Sequence, residues 1–118
     1  MTIKTIINTA LSGVLANTWA VELPLQPTFP AIIFEINTVP EDNWAVPPSG
    51  SAYDQHTIFV TILAKTLGEI ETLTPLVDTA LEGVTGYLLD GERGDSGYEP
   101  DASVYAFFCN HVIRKPRY

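Results

Sequence analysis

The sequence predicts an α+β fold: an antiparallel sheet of about four strands with two helices packed on one face, in the order α-β-β-α-β-β. Three observations carry this. Two segments repeat apolar residues at three- and four-residue steps, the period of a helix with one buried stripe. Others alternate sides with a period of two, the pattern of half-buried strands. The elements do not alternate regularly as strand and helix, so the economical way to bury both helical stripes is against one face of an antiparallel sheet.

The first helix is read in "TIKTIINTALSGVLANTW", where Ile3, Ile6, Ile7, Ala10, Leu11, Val14 and Leu15 share a face and Thr2 is the N-cap. "VELPLQPTFP" has three prolines in ten residues and is an extended connector. "AIIFEINTV" alternates Ile32, Phe34 and Ile36 against Ile33, Glu35 and Asn37 and is a strand. "PEDNWAVPPSGS" supplies a loop around Trp44, and "AYDQHTIFVTILAKT" resumes the alternation, with Ile58, Val60, Ile62 and Ala64 on one side, so the two strands form a long hairpin. Thr66 to Glu69 fits a capping box, in which hydroxyl and carboxylate each take an orphan amide. Ile70, Leu73, Val77, Leu81 and Val84 then mark the second helix. Pro75 either kinks it or opens a second segment behind Thr74, the kink being preferred, and Gly83 and Gly86 end it. "YLLD" reads as a short strand, and "SVYAFFCNHVI" as a long final one.

A chain of 118 residues with 46% hydrophobic and 17% charged residues is one globular domain, residues 1–118. Its apolar runs are too short to cross a bilayer, and the segment after Lys4 is amphipathic, unlike a secretory leader. The single cysteine, Cys109, allows no internal disulfide and points to assembly in a reducing compartment. A net charge of −8 opposes general binding to nucleic-acid phosphates. Three of the six cations, Arg114, Lys115 and Arg117, lie in the last five residues and read as a solvated end or a handle for an acidic neighbour.

"DGERGDSGYEPD", residues 90–101, carries Asp90, Glu92, Asp95, Glu99 and Asp101 among glycines. Counted from Asp90 its fifth position is Gly94 and its twelfth Asp101, a poor match to an EF-hand loop, and an Arg-Gly-Asp triplet arises easily by chance. A turn-rich solvated loop is the expectation, with a weak cation site as the lesser alternative and cell adhesion behind it. Asp54, His56 and His111 have no nucleophile elbow beside them, and two histidines without a ligand-spaced third do not suggest zinc. Cys109, flanked by Phe107 and Phe108, reads as a small buried hydrophobe. No glycine-rich phosphate loop follows a strand. The sequence therefore predicts no catalytic residue, no cofactor and no metal: a protein that is not an enzyme. Trp19, Trp44 and Tyr53 stand out instead as aromatic candidates for interface anchors.

Taken together, the amphipathic helix, the proline-bounded "FPAIIFEI", "HTIFVTILAKT", the helix "LGEIETLTPLVDTAL" and the long last strand resemble the tail-completion, or tail-terminator, proteins of long-tailed bacteriophages, the group that includes the lambda tail terminator. The resemblance spans nearly the whole chain, and "SGVLANTWAVELPLQPTFPAIIFEI" is its best-matching part; Pro75 and the excursion over 90–101 depart from the pattern. It implies a structural virion protein: a homo-oligomer, a hexameric ring, on the head-proximal end of the tail tube. That ring halts polymerisation of the tail tube protein, docks the head–tail connector or neck protein, and passes DNA through its lumen without specific binding. Assembly would take place in the host cytoplasm, with no membrane involved. On this reading Trp44, Tyr53, Arg114, Lys115 and Arg117 belong to the interfaces, and Asp90, Glu92 and Asp95 face the lumen or the tube. A head-completion or neck protein of the same virion is the nearest alternative, and a non-viral small α/β ligand-binding domain the alternative from another class.

Overall fold

The computed structural model describes residues 2–21, 23, 28–40, 53–100 and 103–116. Helix α1 (Ile3–Ser12) starts where expected, with the Thr2 hydroxyl accepting from the Thr5 amide at 3.2 Å, and stops early at a Gly13 cap. Val14 and Leu15 lie outside the helix yet still pack against the core. The chain then enters a strand the sequence reading does not contain, β1 (Thr18–Ala20), fixed at its entry by the Thr18 hydroxyl, which donates to the Leu15 carbonyl at 2.6 Å.

The remaining elements are β2 (Ala31–Pro40), β3 (Tyr53–Ala64), α2 (Leu67–Glu82), β4 (Tyr87–Glu99) and β5 (Val104–Pro116). They form one five-stranded sheet in the order β1-β2-β3-β5-β4. The expected four-stranded antiparallel sheet is thus corrected to five strands and a mixed sheet, because β1 pairs parallel with β2, Trp19 opposite Ile33. The expected hairpin of β2 and β3 is present, with Phe34 opposite Val60.

Helix α2 is one continuous element through Pro75. Ile70, Leu73, Val77 and Leu81 are buried in a single stripe along it, while Glu71, whose carbonyl loses its amide partner at Pro75, lies on the exposed side. A missing hydrogen bond is inexpensive where water can replace it. The capping box forms with one of its two bonds changed. Thr66 Oγ1 accepts from the Glu69 amide at 3.2 Å as expected, but the Glu69 carboxylate accepts from the Thr66 hydroxyl.

The core lies between the two helices and one side of the sheet. Ile7 and Leu11 of α1 and the stripe of α2 meet Ile32, Phe34, Ile58, Val60, Ile62, Ala64, Cys109 and Ile113. Each fully buried large apolar side chain there contributes roughly 1.5–3 kcal/mol of transfer free energy. Both helices therefore sit on one face, as the two apolar stripes require.

Candidate functional site

Strand register assigns every alternate residue to the opposite face, where no helix lies among the described residues. Across β2, β3 and β5 run the rows Glu35–Phe59–Asn110, Ile33–Thr61–Phe108 and Asn37–Thr57–Val112. Trp19 joins beside Ile33, and Leu89 of β4 beside Val112. This face mixes polar residues with exposed large apolar ones: Trp19 is 40% exposed, Phe59 41% and Leu89 53%. The Trp19 ring is held in place, since its Nε1 donates to Asn17 Oδ1 at 2.6 Å while the Asn17 amide donates to the carbonyls of Thr28 and Pro30. Fixed, exposed aromatic area of this kind is what interfaces use as anchors.

The acidic stretch is a correction. Residues 90–99 are not a loop but most of strand β4, hydrogen-bonded to β5 with Asp90 opposite His111, Gly94 opposite Phe108 and Asp95 opposite Phe107. The ladder is interrupted between Tyr87 and Leu89, Asp90 and Arg93, and Asp95 and Gly97. Bulges and charges are the usual means of keeping a long edge strand from pairing with stray chains. They also scramble the period of two, which is why the sequence does not read as a strand.

Asp90, Glu92 and Asp95 consequently do not form one acidic tip. Glu92 is exposed, Asp95 borders a cleft with Leu67, Ile70, Pro75 and Phe107, and Asp90 belongs to a charged cluster beneath α2. In that cluster Arg93 bonds Asp78 of α2 at 2.8 Å and Asp90 at 3.4 Å. Buried His111 contacts Asp78 at 2.9 Å through Nε2, and the Tyr87 hydroxyl donates to Asp90. Burial alone would raise the Asp78 pKa, but the bonds from Arg93 and His111 outweigh it and hold the carboxyl below the ordinary carboxylate value. Burial, with the carboxylates of Asp78 and Asp90 nearby, pushes the Cys109 thiol up to about 12, so it is protonated at neutral pH. Asp78 and Arg93 escape sequence reasoning because they are 15 residues apart and meet at His111 only where α2 packs over the β4–β5 pair.

His56 and His111 engage separate partners rather than joining Asp54 in a catalytic arrangement: His56 Nδ1 pairs with the Thr38 hydroxyl at 2.7 Å on the neighbouring strand. Burial lowers the His56 pKa, with Asp54 opposing and Lys115 reinforcing the shift. The described part of the basic end belongs to a strand. Arg114 and Lys115 lie within β5, opposite Gln55 and Asp54, and the Arg114 amide donates to the Gly86 carbonyl at 2.7 Å. Tyr53 opens β3 opposite Pro116. Trp44 and Arg117 lie outside the described residues.

The described residues form an α+β domain: a five-stranded mixed sheet with both helices on one side and a bulged, charged edge strand. No family model and no curated protein matches the sequence. The fold is similar to that of a chain in a solved structure described as the virion of a native gene transfer agent particle, with a TM-score of 0.62, 14% identity, and coverage of 97% of this chain and 94% of that one. At that identity the likeness establishes the fold.

Proposed function

We propose that this protein is a structural component of a phage-like virion and, within it, the tail terminator. It would be a ring, hexameric by the resemblance, on the head-proximal end of the tail tube, ending tube growth and docking the connector. The observation that carries the virion reading is the near end-to-end match of fold with a chain of a virion particle. The open face fits the same reading, because a ring needs two complementary patches on every subunit. The open face around Phe59 is a candidate for one such patch, and the charged β4 edge, with Glu92 and Glu99 exposed, for the second. If part of the −8 carried by each copy lines the lumen, DNA meets no cationic surface there to hold its phosphates.

Deleting the gene and imaging the lysate by electron microscopy tests this. The expected result is DNA-filled heads beside free tails with ragged or over-long head-proximal ends. Emptied heads beside tails of normal length would move the protein to the neck, and intact particles would remove it from virion assembly altogether.

A further inference from the structure

The cluster under α2 brings together donors of three chemical kinds. A carboxylate oxygen of Asp78, the Cys109 sulfur and an imidazole nitrogen of His111 all lie within 4.8 Å of one another. Cys109 and His111 are two apart on β5 and share the helix-covered side, both fully buried, while Asp78 descends from α2. Asp78 Oδ1 stands 2.9 Å from His111 Nε2 and Asp90 Oδ1 stands 3.7 Å from it. Donors around a tetrahedral zinc ion, with bonds of about 2.0–2.3 Å, are roughly 3.3–3.8 Å apart. The Asp90 separation falls within that spacing, and the Asp78 one, at hydrogen-bond length, is shorter than it.

We propose that Asp78, Cys109 and His111, with Asp90 as fourth donor, bind one zinc-class divalent cation. Thiolate and imidazole donors select such a borderline metal over calcium or magnesium, which take oxygen alone. His111 turns Nε2 to the two carboxylates, and its Nδ1 is buried without a partner among the described residues. The exchange keeps the charge of the site. Without the metal, two carboxylates face one guanidinium and a neutral thiol, a net of minus one. On binding, the cation takes the place of Arg93 and the Cys109 proton leaves to solvent, so that two carboxylates, a thiolate and the divalent ion again sum to minus one. Arg93 is the resident counter-charge, bridging Asp78 and Asp90 from an edge strand with a third of its side chain in solvent. It yields its bonds to the metal by swinging outward, which opens the route in.

The test is titration of the purified full-length chain with cobalt(II), followed by displacement with zinc. The chain has one cysteine, so a thiolate-to-cobalt absorption band reports Cys109 alone. One cobalt per chain with that band, lost when zinc is added, is expected, together with a rise in melting temperature on zinc. Cys109→Ser abolishes the band, and Asp90→Asn, a partly exposed change that spares the core, weakens binding by about tenfold. Arg93→Met keeps the band and tightens binding. No band from the folded wild-type chain at saturating cobalt overturns the proposal, as does an Asp90→Asn chain that binds like wild type while Arg93→Met also leaves affinity unchanged.

Discussion

The two faces of the sheet are written by the same strands and behave as different materials. On β3, Ile58, Val60, Ile62 and Ala64 are fully buried under the helices, whereas Thr57, Phe59, Thr61 and Leu63 alternate with them on a side no described helix covers. A sheet face buries its apolar residues only where another layer meets it. The covered face therefore carries the stability of the monomer, and the open face carries apolar area beyond what the monomer's own fold uses.

The sharpest break between the two comes from truncating equivalent rings. Phe34→Ala empties a fully buried site and is expected to cost about 3–5 kcal/mol in urea unfolding, whereas Phe59→Ala on the open face is expected to stay within about 1 kcal/mol of wild type. Equal losses at the two positions would mean that the open face is covered in the isolated chain.

A second contrast lies along the charged edge. Gly86 has φ +95°, and an added Cβ would lie 1.9 Å from the Arg114 carbonyl oxygen; Gly97 has φ +105° but open space around it. Gly86→Ala is expected to cost roughly 3 kcal/mol or more, since a backbone atom must move, and Gly97→Ala about 1–2 kcal/mol, the penalty of the left-handed conformation alone. Denaturant melts of the pair separate strain from collision.

The smallest effect expected is on acid stability. Burial holds His56 below its ordinary 6.5, so the unfolded chain takes up this proton first: the contribution of neutral His56 is complete above pH 6.5 and is lost as pH falls below it toward the folded value. Asp78, held below its ordinary 3.8, contributes above that pH and loses its contribution as pH falls through its lower folded value. His56→Gln should flatten the upper limb of a stability–pH curve and leave the lower one in place. A curve unchanged by that substitution would show that His56 is as free in the folded chain as in the unfolded one.

The covered face was legible in the sequence because burial enforces periodicity. The stripe of α2 and the alternation in β2 and β3 appear as they stand in the sequence. What stayed illegible was held by backbone or by distant partners. Strand β1 hides in the continuation of the α1 apolar rhythm, where Val14 and Leu15 keep packing after the helix has ended at Gly13. Strand β4 pairs through its peptide groups while glycines and bulges erase its pattern, so its carboxylates read as a loop. Of the residues anticipated at interfaces, Arg114 and Lys115 are laddered into β5 and Tyr53 opens β3, while Trp44 and Arg117 lie outside the described residues. The Asp78–Arg93–His111 cluster carries no local motif, because its members are assembled by tertiary register alone.

The most direct test of the account is complementation of a strain lacking the gene with a Phe59→Asp chain, counting completed particles by electron microscopy after confirming that the purified variant melts like wild type. The account predicts a folded protein that fails to restore joined heads and tails, with the defect matching that of the deletion. Full restoration of particles by that variant would contradict it, because an interface in a virion assembly cannot accommodate an unpaired buried carboxylate at its centre.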